Sequence, residues 1–123
     1  MQFTIDVDQK LVVSTYYGEV NDADLFDVVS LIGSHPDFDP TFSEIVDFSG
    51  VTGVAVSSFA IQKKARTESI FSPTSRHVVV APQTHIFGLS RMYEVYADET
   101  KPNVMVVRTM NEARKFLGLE RTG

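Results

Sequence analysis

Two short runs, Val78-Val79-Val80-Ala81 and Val104-Met105-Val106-Val107, are apolar at every position. A strand with one wet face alternates apolar and polar residues, so runs without alternation belong to strands covered on both faces, as in the interior of a parallel sheet. Parallel neighbours cannot be joined by a tight turn and need a crossover, usually a helix. Each run is followed by a stretch with helical spacing, residues 84–98 and 109–118. The same unit recurs upstream, where Glu44-Ile45-Val46-Asp47-Phe48 reads as a buried strand over 43–48, ending in an acidic turn at Asp47. Gly50-Val51-Thr52 then reads as a crossing turn, and Ser57-Ser58 as the hydroxylic start of a helix over 57–71.

The amino-terminal part differs. Residues 2–7 and 11–18 read as two strands joined by Asp8-Gln9-Lys10, a length that suits an antiparallel hairpin. Asn21 offers a helix cap, and Asp22 and Asp24 lie where negative charge favours the helix dipole. Leu25, Val28, Val29 and Ile32 repeat at helical spacing, and Pro36 ends the helix near His35. With a strand at 76–81 and another at 103–108, the order is ββαβαβαβα: an α/β fold with a mixed five-stranded sheet, an amino-terminal antiparallel hairpin and parallel strands crossed by helices, in one domain spanning 1–123. Thr109 and Glu112 match a capping box at the start of the last helix.

Composition narrows the function classes. The chain has 123 residues, 43% of them hydrophobic, which is enough for one compact core. Without cysteine, disulfides, thiolate chemistry and thiolate-held metals are excluded. The net charge of −5 argues against a nucleic-acid partner. Acidic side chains concentrate early, with ten in residues 1–50 against Lys10 alone, whereas residues 51–123 carry ten basic against six acidic. No apolar run approaches a membrane span and no basic leader opens the chain, so a cytoplasmic location without a transmembrane segment is expected.

Candidate sites follow from the parallel sheet, whose strands deliver their carboxyl ends to one edge, the usual ligand side of open α/β folds. Asp47, Ser58, Thr84, His85 and Thr109 fall near that edge together with Ser57. Asp47, Ser57 and His85 carry the residue types of a hydrolytic triad, but there is no Gly-x-Ser-x-Gly elbow. A metal site is not indicated, since His35, His77 and His85 lack ligand spacing and Asp37 and Asp39 lack the rest of a calcium loop. No cofactor signature occurs, and His77 reads as a satisfied or edge histidine. The third helix is crowded with Phe87, Leu89, Met92, Tyr93 and Tyr96, more apolar surface than one buried side needs. That excess suits core packing, a dimer or partner contact, or a pocket for an apolar ligand, with Arg91 available to bind an anion or to pair with Glu94 or Asp98. Lys63, Lys64 and Arg66 make the second helix basic and the most exposed of the set.

The strand ending at Asp47, the Gly50-Val51-Thr52 turn, the Ser57-Ser58 helix start and the segment Phe87-Gly88-Leu89-Ser90-Arg91-Met92-Tyr93 together resemble the SpoIIAA-like family. The closing segment Val107-Arg108-Thr109-Met110-Asn111-Glu112-Ala113-Arg114-Lys115-Phe116-Leu117-Gly118 is similar to that family's terminal strand and helix, so the resemblance covers nearly the whole chain. It implies a relationship to bacterial STAS domains of anti-sigma-factor antagonists and, in fold, to lipid-binding SEC14-type domains. The implied architecture is four successive β–α turns with an added antiparallel strand. The regulatory relatives carry Asp-Ser-Ser-Gly where a partner kinase phosphorylates a serine. Counted from Asp47, this chain places Ala55-Val56-Ser57-Ser58 there, so Ser57 matches and is the phosphorylation candidate, while Ala55 and Ser58 replace the aspartate and the glycine.

The leading expectation is a non-enzymatic regulatory or protein-interaction module, with a protein partner or self-association. A carrier or sensor of a small apolar or anionic ligand comes second, and a hydrolase third.

Overall fold

A computed structural model describes residues 1–98, 101 and 103–119. Residues 120–123 of the expected 1–123 domain lie outside the described residues. Strands β1 (Gln2–Asp6), β2 (Leu11–Asn21), β3 (Ser43–Ala55), β4 (His77–Val80) and β5 (Val104–Val107) alternate after the hairpin with helices α1 (Asp22–Gly33), α2 (Ser58–Arg66), α3 (Thr84–Ala97) and α4 (Met110–Phe116). They form one mixed sheet in the order β1-β2-β3-β4-β5, antiparallel between β1 and β2 and parallel thereafter.

This sequential order has a direct consequence for layering. Each β–α–β crossover is right-handed by the twist of strand and helix, and each moves one strand further the same way. The crossing helices α1, α2 and α3 therefore stack on one face of the sheet. Strand alternation matches this, since Val12, Tyr16, Val20, Val79 and Val106 join Val28 and Ile32 of α1 and Ile86 of α3 in the larger core. The opposite face carries Leu11, Ile45, Val78, Val80 and Val107, covered by Ala113 and its neighbours on α4.

Local signals explain the element boundaries. Lys10 takes a left-handed φ of 53° in the hairpin turn, and its amide donates to the Val7 carbonyl. Asn21 and Asp24 form a reciprocal capping box that starts α1. At α4 only half of the expected box is present: Thr109 accepts from the Glu112 amide, but the Glu112 carboxylate takes the Thr109 hydroxyl in place of its backbone N–H.

Three expectations need correction. First, β3 does not stop at Asp47, and Gly50-Val51-Thr52 is not a turn: the strand runs on to Ala55, paired with an equally extended β2 through two register shifts. Gly50 suits a close approach here, since a Cβ at that position would sit 3.2 Å from Tyr17 Cβ and 3.3 Å from the Tyr16 carbonyl, so the neighbouring strand would have to give by a few tenths of an ångström. Second, β5 is an edge strand, with Met105 38% exposed, although its apolar run reads as interior. Its two faces are nonetheless covered, by α3 on one side and α4 on the other, so the run is apolar throughout although the strand stands at the edge of the sheet. Third, α2 ends at Arg66 instead of 71, because Thr67 turns extended and its hydroxyl returns to the Lys63 carbonyl. Residues 67–76 then cross to β4 without helix, burying Phe71 on the way.

Candidate functional site

Between the sheet and the three crossing helices lies a cavity of about 270 Å³. Its walls are mainly apolar, formed by Val46 and Val79 from the sheet, Val29 from α1, Ile61 from α2, and Ile86 and Leu89 from α3. Ser30, Thr67 and Glu68 line it and are exposed, so its mouth lies between α1 and the segment that follows α2. An apolar cavity of about 150 Å³ takes benzene, so this one accommodates a somewhat larger apolar body.

The cavity also carries a polar floor. Glu44 and His77 are direct partners on β3 and β4, and Ser14 on β2 lies two residues beyond Val12, which pairs with Glu44. All three therefore face the helices. Glu44 Oε1 lies 2.9 Å from His77 Nδ1, and since a carboxylate only accepts, Nδ1 carries the hydrogen. The ring of Phe71 meets the His77 ring edge-on at 5.0 Å and holds its plane. Ser14 is 1% exposed, and its hydroxyl has no hydrogen-bond partner. Ser14 and His77 stand two strands apart, roughly 9–10 Å at ordinary strand spacing, so Ser14, His77 and Glu44 do not form a nucleophile–base–acid relay.

Helices contribute Lys64 and Tyr93 to the same space, and Lys101 follows α3. The Lys64 ammonium donates to the Leu25 carbonyl of α1. Burial lowers its pKa below the ordinary lysine value, an effect partly offset by Glu44. Lys101 donates to the carbonyls of Lys64, Ala65 and Thr67 at the end of α2, where the helix dipole favours a cation. Its pKa falls to about 8, first through burial and then through the neighbouring Lys64 charge. The hydroxyls of Tyr16 and Tyr93 are pushed the other way, above the ordinary tyrosine range, by burial and then by Glu44.

These shifts give stability a defined pH profile. Between about pH 8 and the ordinary lysine value of about 10.4, Lys101 binds fewer protons folded than unfolded, so its contribution makes stability rise with pH. Above about pH 10, the unfolded chain loses tyrosine protons that the folded Tyr16 and Tyr93 retain, so stability falls again. The expected result is a urea midpoint that increases from about pH 8 to 9.5 and declines by about pH 11, with the rise flattened in Lys101→Met.

The residues singled out along the sheet edge are scattered. Asp47 lies mid-strand between Thr15 and Val80, on the opposite face from the cavity residues Val46 and Phe48, and accepts from the Ser49 amide at 2.9 Å and hydroxyl at 2.6 Å. Ser57 caps α2, and Ser58 is the exposed first residue of that helix. Thr84 and His85 open α3 exposed, after the N-cap Gln83, and Thr109 caps α4. Among the described residues no hydrogen bond or ion pair joins Asp47, Ser57 and His85.

Ser57 has partners that bear on modification. Its amide and hydroxyl donate to the two carboxylate oxygens of Asp22 at 2.8 and 3.0 Å, while its oxygen accepts from the Ala60 amide. A phosphate there would remove the hydroxyl donor of one of these bonds and set its charge against the Asp22 carboxylate. Ser57→Ala is expected to lower stability by about 1 kcal/mol through loss of the cap. Ser57→Asp keeps a capping oxygen but sets a second carboxylate against Asp22, so whatever stability it loses is expected to return when Asp22→Asn is added, as read by urea denaturation.

The aromatic helix and the basic helix each divide. Tyr93 reaches the cavity, but Phe87 and Met92 do not line it. Phe87 packs against the larger core with the Arg108 guanidinium 4.1 Å from its ring, and Arg91 pairs with Glu94 at 3.2 Å. Lys63 and Arg66 are exposed beside the Phe26 and Tyr96 rings. Lys64 turns inward, so α2 is a wall of the pocket instead of the exposed helix its composition suggests.

Ser14, Glu44, Ser90 and Lys101 stand out in no sequence motif, and His77, expected as a satisfied or edge histidine, is satisfied by Glu44 at the cavity floor. For Ser14, Glu44 and His77 the signal is a polar residue at a cavity-facing strand position, visible only once register is known; Ser90 on α3 and Lys101 after it carry no such signal. Gln83 was also missed: its side-chain amide donates to the carbonyls of Phe48, Ser49 and Val51, tying the irregular part of β3 to the start of α3. Among the described residues no cluster of three metal-ligating side chains occurs, and no helix is long and apolar enough to cross a membrane. Comparison with known proteins returns no matching family model, curated protein or solved structure.

Proposed function

We propose that this domain is a non-enzymatic binding module, a carrier or sensor that encloses a small, mainly apolar ligand beneath α1, α2 and α3. One observation carries the reading: a mainly apolar cavity of about 270 Å³ that contains a buried hydroxyl with no partner, on Ser14. Buried polar groups are nearly always hydrogen-bonded, so an orphan facing an open volume is accounted for by an occupant. The Glu44 and His77 pair supports a binding role over a chemical one, since these groups satisfy each other and stand away from the Ser14 hydroxyl.

The architecture we assign is the SpoIIAA-like one. It is supported by the run β2-α1-β3-α2-β4-α3-β5-α4, four β–α turns advancing one way across the sheet, with β1 added antiparallel. The carrier reading fits its lipid-binding relatives better than the phosphorylated ones, because Ser57 is tied to Asp22. Partners that sense ligand occupancy would meet α2, whose inner face borders the pocket while Phe59 stands 75% exposed.

The test is a native mass spectrum of protein from its own host, followed by calorimetric titration of delipidated protein with 1-octanol. A discrete non-covalent adduct, or saturable octanol binding, is the expected result. Protein that carries no adduct and takes up no octanol would overturn the proposal.

A further inference from the structure

The chemistry of the occupant's polar end follows from Lys64. An ammonium has three donors, and in the described structure Lys64 uses one, on the Leu25 carbonyl. No carboxylate lies within 4.0 Å of it among the described residues. Lys101 is different, with three carbonyls at the end of α2 as acceptors. Glu44 acts on Lys64 from a distance and the Phe26 ring lies 5.7 Å away, but neither forms an ion pair with it, and a buried ammonium without a direct ion pair is a costly arrangement. Lys64 lines the cavity, so the missing partner has room to enter there.

The other groups around the cavity without a partner are hydroxyls, which can donate as well as accept. The Ser14 hydroxyl is unpartnered, and the Tyr93 hydroxyl makes no hydrogen bond among the described residues. Both border the same volume as Lys64, and Glu44 acts electrostatically on both Tyr93 and Lys64. Among the described residues Glu44 is the one carboxylate inside the mouth, Glu68 being exposed at the rim. It is engaged by His77, and it faces the two ammonium groups of Lys64 and Lys101. An occupant that only accepts and carries negative charge completes this set, whereas a cation would meet two ammonium groups and a neutral alcohol would leave Lys64 uncompensated.

We propose that the occupant is an apolar monocarboxylic acid, its carboxylate accepting from Lys64 Nζ, Ser14 Oγ and Tyr93 Oη and its hydrocarbon part lying along Val46, Val79, Ile86 and Leu89. This rests on the pocket reading given above and adds the charge and class of the headgroup.

The experiment compares octanoate with 1-octanol, two probes with the same chain length and different heads, by calorimetric titration of delipidated wild-type protein at low ionic strength. Octanoate is expected to bind at least about ten-fold more tightly, the size of one charge-assisted hydrogen bond over a neutral one. In Lys64→Met that preference is expected to collapse to within about two-fold while octanol affinity is retained, and Ser14→Ala is expected to reduce it about three- to ten-fold. Equal binding of the two probes by wild-type protein would overturn the carboxylate assignment and leave the pocket standing. Absence of binding by either probe would overturn both. Because the wild-type comparison is decisive by itself, the outcome does not depend on whether Lys64→Met folds.

Discussion

Ser90→Phe is expected to abolish ligand uptake while leaving the domain folded. Ser90 is 6% exposed on the inner face of α3 and lines the cavity, so a phenyl ring at that position projects into space that is empty of protein. Burying the ring is favourable by about 1.5–3 kcal/mol, and strain from imperfect fit costs about 1–3 kcal/mol, so the two nearly offset each other. Binding has no such compensation, because the added ring takes up room the ligand would need. The expected readout is a loss of octanol affinity beyond about 100-fold with a urea midpoint shifted by no more than about 1 kcal/mol equivalent. Unchanged affinity would show that ligands bind elsewhere, and the pocket reading would fail.

The second large effect concerns the other face of the sheet. Ile45 is 0% exposed, lies on the central strand β3, and packs with Leu11, Val78 and Val80 beneath α4. Ile45→Ala removes three carbons from the closely packed side, where flanking strands limit collapse. Its cost is about 2–5 kcal/mol, a large share of the roughly 5–15 kcal/mol that holds a domain of this size together. Equilibrium urea unfolding should show the midpoint falling with an unchanged slope. Val46→Ala provides the contrast: it lies on the cavity side, half-buried beside space already empty, and should cost about 1 kcal/mol less than Ile45→Ala.

These two predictions rest on parts of the molecule that were unequally legible. Element order was readable because each signal is local. Asn21 and Thr109 cap helices with their own side chains, Pro36 shortens what precedes it, and unalternating valines mark covered strands. The errors arose where one local pattern serves two tertiary contexts. Glycines at 50 and 53 resemble a turn, yet both lie in β3, where Gly50 pairs with Tyr17 and leaves room for the close approach of that strand. Likewise an unalternating apolar run reports that both faces of a strand are covered and says nothing of its hydrogen-bonding edges, so β5 reads as interior while standing at the edge.

The candidate site was less legible than the fold. General rules for α/β folds point to the sheet edge, but the residues there are helix caps and exposed helix starts, apart from Asp47, which lies half-buried within β3. The pocket residues Ser14, Glu44, Lys64, His77 and Tyr93 come from five separate elements, and none is unusual within its own segment. Lys64 illustrates the difficulty: between Lys63 and Ala65 it looks like one charge of a solvated run, and only the rotation of α2 against α1 turns it inward.

Residue order in this chain is therefore sufficient to specify an α/β architecture, its antiparallel hairpin, its parallel strands and the start of most helices, because these depend on spacing and on contacts within a few residues. Folding in three dimensions alone decided where an unfilled volume remains and which polar groups are left facing it. A cavity is the space that three helices and a sheet jointly fail to occupy, and it depends on strand register, helix rotation and crossing distance at once. No short segment encodes any of those quantities by itself.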